Sequence, residues 1–351
     1  MAIIDKPTDY FRIKLYTGNN NPQNIAWDET DTNMKPDMLW IKSYAGATVF
    51  EHVLGDVVRG GGKYLVPNST AAEVSNSNVI NTFNTNGFSV GGATQVSEAS
   101  RSYVAWGWKA SNTTATNTAG SINSTVSVNA AAGFSVVGYT GNGSSGATVG
   151  HGLGVAPKIV LIKKYSATDA WTMLNVDSSG GLNTYLALNS SSGAISDPVF
   201  NNTAPTSTLF TVDSDGQVNG NGNNMVAYCF ASVTSFSKFG PYTGNGNADG
   251  PFVYTGFKPA WVMTKKTSGS SSWIIMDNKR NTYNVMNKFL IAENADAQGS
   301  LDSFDFLSNG FKLRTSNGDR NLSGATYIYM AFAENPFVTS TDNGSIPATA
   351  R

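Results

Sequence analysis

The side chains able to do chemistry are few and scattered. Two histidines, His52 and His151, stand at non-equivalent places in the chain. A histidine metal site or a Ser/His/Asp triad would have to be confined to one region, so a hydrogen-bonded or surface polar role is the better reading. Asp213 and Asp215, in "DSDG", put two carboxylates in one tight turn and are the candidate calcium ligands. The further oxygen ligands of a calcium loop do not follow them. Asp56 and Arg59 match Asp277 and Arg280, whereas the middle region offers Asp177 and Gly180. An ion pair or a capped turn explains these residues, and no second acid or base recurs beside them. Cys229 is the single cysteine and reads as a small core residue. Trp171 and Trp273 occupy equivalent places and read as core. Trp27, in "NIAWDETD", has no counterpart and is the candidate exposed binding contact. The glycine-rich "GYTGNG" and "GNGSSG" lack the Lys-Ser/Thr and the helix that a phosphate loop needs. No catalytic constellation emerges, and an enzyme is not expected.

Composition narrows the classes. Charged residues are 13% of the 351, about half the roughly 25% usual for soluble domains. The formal net charge is -1, which argues against a nucleic-acid partner. "MAIIDKPTDY" lacks a cationic start and an apolar run, so synthesis in a cytoplasm without export is expected. No apolar stretch reaches 18 residues, so no membrane insertion is expected.

The elements that must position these residues come as an internal repeat. "YTGN" starts at Tyr16, Tyr139 and Tyr242. Downstream, a proline precedes a lysine by six residues three times: Pro36 to Lys42, Pro157 to Lys163, Pro259 to Lys265. An aromatic-rich segment follows each, from Tyr103, Met225 and Tyr327. A fourth landmark, at Phe83, Phe210 and Phe306, reads as a hairpin with an Asn-Gly or Asp-Gly turn. The glycines of "YTGN" are expected to supply positive φ. "PKIVLIK" and its equivalents read as strands buried on both faces, each lysine emerging into water at the strand end. In the aromatic segments large residues alternate with small ones: Val104, Trp106 and Trp108 face one way, Ala105 and Gly107 the other. The small face suggests close sheet-on-sheet packing. "SSWIIMDNKRNTYNVMNKFL" is the best candidate for helical structure, and it is weak. The expected fold is all-β: three tandem β-sandwiches joined end to end, 1–110, 133–232 and 233–337. A Ser/Thr/Asn-rich spacer, 111–132, carries one strand, and 338–351 forms a C-terminal tail.

"YTGNG", "PAWVMTK", "FLSNGFKLRTSNGD", "YIYMAFAENPF" and "PATAR" together resemble a virion protein family widespread in marine bacteriophages. Its members are described as tail fibre or tail proteins with concanavalin-A-like, lectin-like jelly-roll repeats. The resemblance runs from Tyr10 to Arg351 and brings no assigned active site. It implies a virion location and a structural role, most directly as a tail fibre or receptor-binding protein touching host-surface glycans. Capsid decoration or a head fibre without receptor binding is the alternative, and a virion depolymerase would need a cleft with two carboxylates. It further implies a homo-oligomer, with Met1–Asp9 and Val338–Arg351 docking to other virion proteins. No heptad coiled coil supports such an assembly.

Overall fold

The computed structural model describes residues 3–46, 50–178, 180–337 and 339. The protein is all-β, with helix limited to short turns. Three sets of four strands recur in one order. Each has an opening strand that ends in "YT", a closing aromatic strand, a lysine strand and a turn-back strand. In the first set these are Phe11–Thr17, Ser102–Trp108, Met38–Ala45 and Val53–Asp56. In the second they are Phe134–Thr140, Asn224–Phe230, Ile159–Lys164 and Trp171–Asn175. In the third they are Ser237–Thr243, Thr326–Pro336, Phe257–Lys266 and Ile274–Asp277. All pairings are antiparallel, so one face of each sheet can carry a different chemistry from the other.

That two-faced pattern decides the architecture. The small faces pack on outer strands to make one private core per set. Leu39, Ile41 and Ala105 meet Ile25 and Phe88 in the first, and the other two sets repeat this sandwich-like arrangement. The large faces all turn inward and share one central core. Trp106 and Trp108, Tyr228 and Phe230, and Met330 and Phe332 meet there. The sets therefore do not join end to end. Burying three rows of large apolar side chains requires the sheets to close on one another, since an end-to-end chain would leave each row in water. Phe332 sits at the junction, with ring centroids of Phe11, Trp108, Phe230, Phe236, Phe239 and Trp261 all within 6.0 Å.

"YTGN" has a different reason from the one expected. Each tyrosine hydroxyl donates to a carbonyl of a helical turn about 80 residues later: Tyr16 to Val96, Tyr139 to Val218, Tyr242 to Arg320. Gly18, Gly141 and Gly244 are not left-handed. A Cβ on them would lie 2.2, 2.4 and 2.3 Å from the carbonyl oxygens of Glu98, Gly220 and Leu322. Close backbone approach excludes a side chain. The asparagine that follows pairs reciprocally with the last residue of the turn, Asn142 with Asn219 and Asn245 with Asn321. The motif is a latch that closes each set.

Four further expectations are corrected. The spacer carries two strands, Ala115–Asn117 and Ser124–Asn129, which extend the second set's sheet. Ser127 donates to Asp37 of the first set, which also accepts from the Ala110 and Asn112 amides. The helix candidate is instead Ile274–Asp277 and Met286–Ile291, because apolar burial outweighs a weak propensity. Phe210 does not open a hairpin: Leu209–Val212 pairs with Ala147–Gly150, and "DSDG" leads into the turn Gly216–Asn219. Of the expected docking tail Met1–Asp9, Ile4 and Pro7 are buried against the body itself. Val338–Arg351, the other docking segment, lies outside the described residues save for Thr339.

The shared core predicts one cooperative transition for the whole body rather than three. Phe332→Ala should lower its stability by about 3–5 kcal/mol. Denaturant melts followed by tryptophan fluorescence and far-UV circular dichroism should shift together. Separate transitions for the three sets would contradict the shared core.

Candidate functional site

The repeated lysines are the first chemistry to place, and the expectation that they reach water is wrong. Lys42, Lys163 and Lys265 are fully buried. Each lies on the inward face of its strand, in step with Trp40, Leu161 and Met263. Each ammonium donates to one carbonyl of its own set and one of a neighbour. Lys42 reaches Phe50 and Ala295, both at 2.6 Å. Lys163 reaches Asp169 and, at 2.8 Å, Thr70. Lys265 reaches Ser271 and, at 2.8 Å, Ser191. The neighbours follow a closed cycle: first set to third, second to first, third to second.

The same cycle holds in full twice more and in part a third time. The carbonyl four residues before each neighbour acceptor receives a ring N–H: Val66 from Trp171, Ala187 from Trp273, Ile291 from His52. The amide three residues after it donates back to the carbonyl two beyond the lysine: Glu73 to Tyr165, Ala194 to Thr267, Gln298 to Tyr44. The closing strands contribute the last bond. Tyr228 donates its hydroxyl to Asp56 at 2.7 Å, and Trp106 its indole N–H to Asp277 at 3.3 Å. Asp56 and Asp277 are fully buried and each holds its own arginine, Arg59 or Arg280, at 2.6 Å. Strand register shows that Asn175, not Asp177, is the third equivalent, since it faces Ile159 as Asp56 faces Met38 and Asp277 faces Trp261. Met330 stands where Tyr228 and Trp106 stand, and it has no N–H or O–H to donate. A buried carboxylate lacking that donor would be costly, and the charge is absent with its partner.

Burial pushes the three lysines down to about 8, with nearby carboxylates acting against it. The paired carbonyls hold the ammonium form in place, so these groups are structural and not nucleophiles. His52 is neutral. Trp40 Nε1 donates to its Nδ1 at 2.9 Å, which leaves the proton on Nε2 for Ile291. Burial, with the charge of Lys42, pushes its value down to about 3.

The remaining candidates are also structural. Trp27 is buried at 2% exposure, packs on Phe88 and donates to the Met34 carbonyl, which corrects the expectation of an exposed contact. Asp215 caps the turn Gly216–Asn219 by accepting from the Gln217 amide at 2.7 Å, as Asn317 caps Gly318–Asn321. Asp213 is half-buried, and one of its oxygens lacks a hydrogen-bond donor. Among the described residues no group of three or more His, Cys, Asp or Glu is placed to hold a metal ion. His151 accepts from the Leu153 amide, and Cys229 is buried.

The surface offers one feature that sequence reasoning missed. Few large apolar side chains are exposed among the described residues, and two of them share one strand: Phe252 at 45% and Tyr254 at 51%. That strand, Phe252–Tyr254, ends its sheet and pairs with Gly310–Leu313. Val253 points inward onto Phe311, so alternation forces Phe252 and Tyr254 outward. The equivalent outward residues are Asn24 and Ala26 in the first set and Thr148 and Gly150 in the second. Beside the pair lies a surface groove of about 570 Å³, lined also by Lys238, Pro241, Lys158 and Asp177. Lys158 pairs with Asp177 at 3.3 Å, and the Lys238 ammonium lies 5.0 Å from the Tyr254 ring centroid. The legible signal was "FVY" standing where the other sets have small or polar residues.

A family model matches residues 6–336. The chain belongs to the family described as a domain of unknown function, DUF7483. The match spans all three sets and the spacer, so the family unit is the whole closed body. No curated protein and no solved structure matches the chain. No described helix is long and apolar enough to cross a membrane.

Two outcomes test the junctions. Lys265→Met removes the donor from the Ser191 and Ser271 carbonyls at once and should cost at least about 2 kcal/mol, whereas Lys266→Met at the partly exposed next position should stay within about 0.5 kcal/mol. For His52 the folded value lies below the unfolded 6.5, so the unfolded chain binds the extra proton. Its contribution is complete above pH 6.5 and is lost as the pH falls toward about 3. Between pH 6 and 4 the wild type should lose stability faster than His52→Gln, by on the order of 1.4 kcal/mol per pH unit. Parallel denaturation midpoints across that range would contradict the assignment.

Proposed function

We propose that this protein is a structural component of a bacteriophage virion, a tail fibre or receptor-binding protein that contacts host-surface glycans. In this reading its three strand sets are jelly-roll repeats. The observation that carries it is the outward pair Phe252 and Tyr254, found on one set while the equivalent positions of the other two are small or polar. Half-exposed aromatic rings are unfavourable in water and gain by covering an apolar face. The C–H face of a pyranose ring supplies one, with hydroxyls left for the polar rim. A body cross-tied by buried bonds between its sets, with no intrachain disulfide possible for its single cysteine, suits a particle that must persist outside the cell.

Purified protein should compete with the phage for adsorption to host cells in a dose-dependent way, and Phe252→Ala/Tyr254→Ala should compete far less. Failure of the wild-type protein to compete, with antibody label on the head of the particle, would instead support capsid decoration or a head fibre.

A further inference from the structure

The groove has a charge pattern as well as a shape. Three charged groups line it beside the aromatic pair: Lys158, Asp177 and Lys238. Asp177 is already engaged by Lys158 at 3.3 Å. Lys238 forms no ion pair among the described residues; its ammonium rests against the Tyr254 ring. The adjoining hollow is lined by Ser232, Thr234, Ser235 and Thr255 with the same Lys238 and Tyr254, and it adds no acidic group. One cation thus remains uncompensated at the edge of an aromatic platform whose rings lie roughly 7 Å apart along the strand.

We propose that this groove is a subsite for an anionic polysaccharide, with sugar rings on Phe252 and Tyr254 and a sugar carboxylate on Lys238. The proposal rests on the glycan-contact reading above and names its ligand class. A neutral glycan would leave Lys238 without a counter-charge, and a cationic peptide would be repelled by it. A partly exposed cation there is specific to the third set, since the equivalent residues Arg12 and Ser135 are buried. Lys238 follows Ser237 at the start of the opening strand, which stands at the other edge of the sheet and meets the aromatic pair across the groove. The groove's volume of about 570 Å³ falls within the roughly 300–1,000 Å³ of small-ligand clefts, room for a short stretch of chain.

The test uses the full chain, immobilised, with polygalacturonate and alginate as probes and their methyl esters as neutral counterparts. The acids should bind at low salt at least tenfold more tightly than the esters, in line with a charge-assisted hydrogen bond, and weaken as salt rises. Lys238→Gln should erase the difference between acid and ester by weakening the acids at least tenfold. Tyr254→Ala should abolish binding of both. Equal affinity for acid and ester, unaffected by Lys238→Gln, overturns the anionic assignment and leaves glycan contact standing. Failure of every probe to bind, or binding that Tyr254→Ala leaves intact, overturns both at this face. Self-association that Tyr254→Ala removes would assign the platform to a second copy of the chain and overturn the proposal. Thermal melts of each variant establish that the fold is retained.

Discussion

A lysine ammonium buried between two peptide carbonyls is the interaction on which the arrangement of the chain depends. Desolvating a cation is costly, and the cost is tolerable only where fixed dipoles replace water. Lys42, Lys163 and Lys265 each meet this condition with one carbonyl from their own set and one from a neighbour. No set can satisfy its lysine alone. The three sets therefore need one another, and the cycle of donors leaves none of them at an open end. The central apolar core gives the closure its driving force, and the lysines with their companion bonds fix its register.

The junctions are alike in plan and unlike in charge. Two are strengthened by a buried Asp–Arg pair that accepts a ring N–H or a hydroxyl from the next closing strand. The third, where Met330 offers no such donor, has Asn175 and Ser178 in place of the pair. Donor and ion pair vary together because each half alone would be buried without a partner. The spacer follows the same economy. It adds two strands to the second set and returns to Asp37 of the first, so the longest connection is itself tied down.

The parts legible in the sequence were those governed by local rules. Alternation separated Val104, Trp106 and Trp108 from their small neighbours, and the two faces meet different cores as that pattern implies. Equal spacing marked Trp171 and Trp273 as core, and both are buried. What escaped was contributed from far along the chain. A lysine closing a strand looks the same whether its end meets water or a carbonyl such as Thr70, 93 residues away. Gly141 looks like a turn glycine until the Gly220 carbonyl is seen against it. Asp177 was the nearest acid by count, but register assigns the position to Asn175. Trp27 had no counterpart in the other sets and so suggested a surface role, yet it fills its own set's core.

Difference between repeats points to function only where the repeat leaves a side chain free. The inward faces are committed to the shared core, the small faces to private cores, and the loops after the lysines to the junctions. The outward face of the outermost strand carries none of these duties in the first and third sets, whereas in the second the spacer covers it, Ser121 bonding Thr148 and Asn117 lying against Gly150. The chain keeps Asn24 and Ala26, and Thr148 and Gly150, on two of those faces and sets two aromatic rings on the third. Gly310 opposite Tyr254 fits that arrangement: a Cβ there would fall 3.0 Å from the Phe252 ring and 2.2 Å from the Val253 carbonyl. Strand alternation alone turns Phe252 and Tyr254 outward, at positions where neither the private core nor the junctions require an aromatic ring.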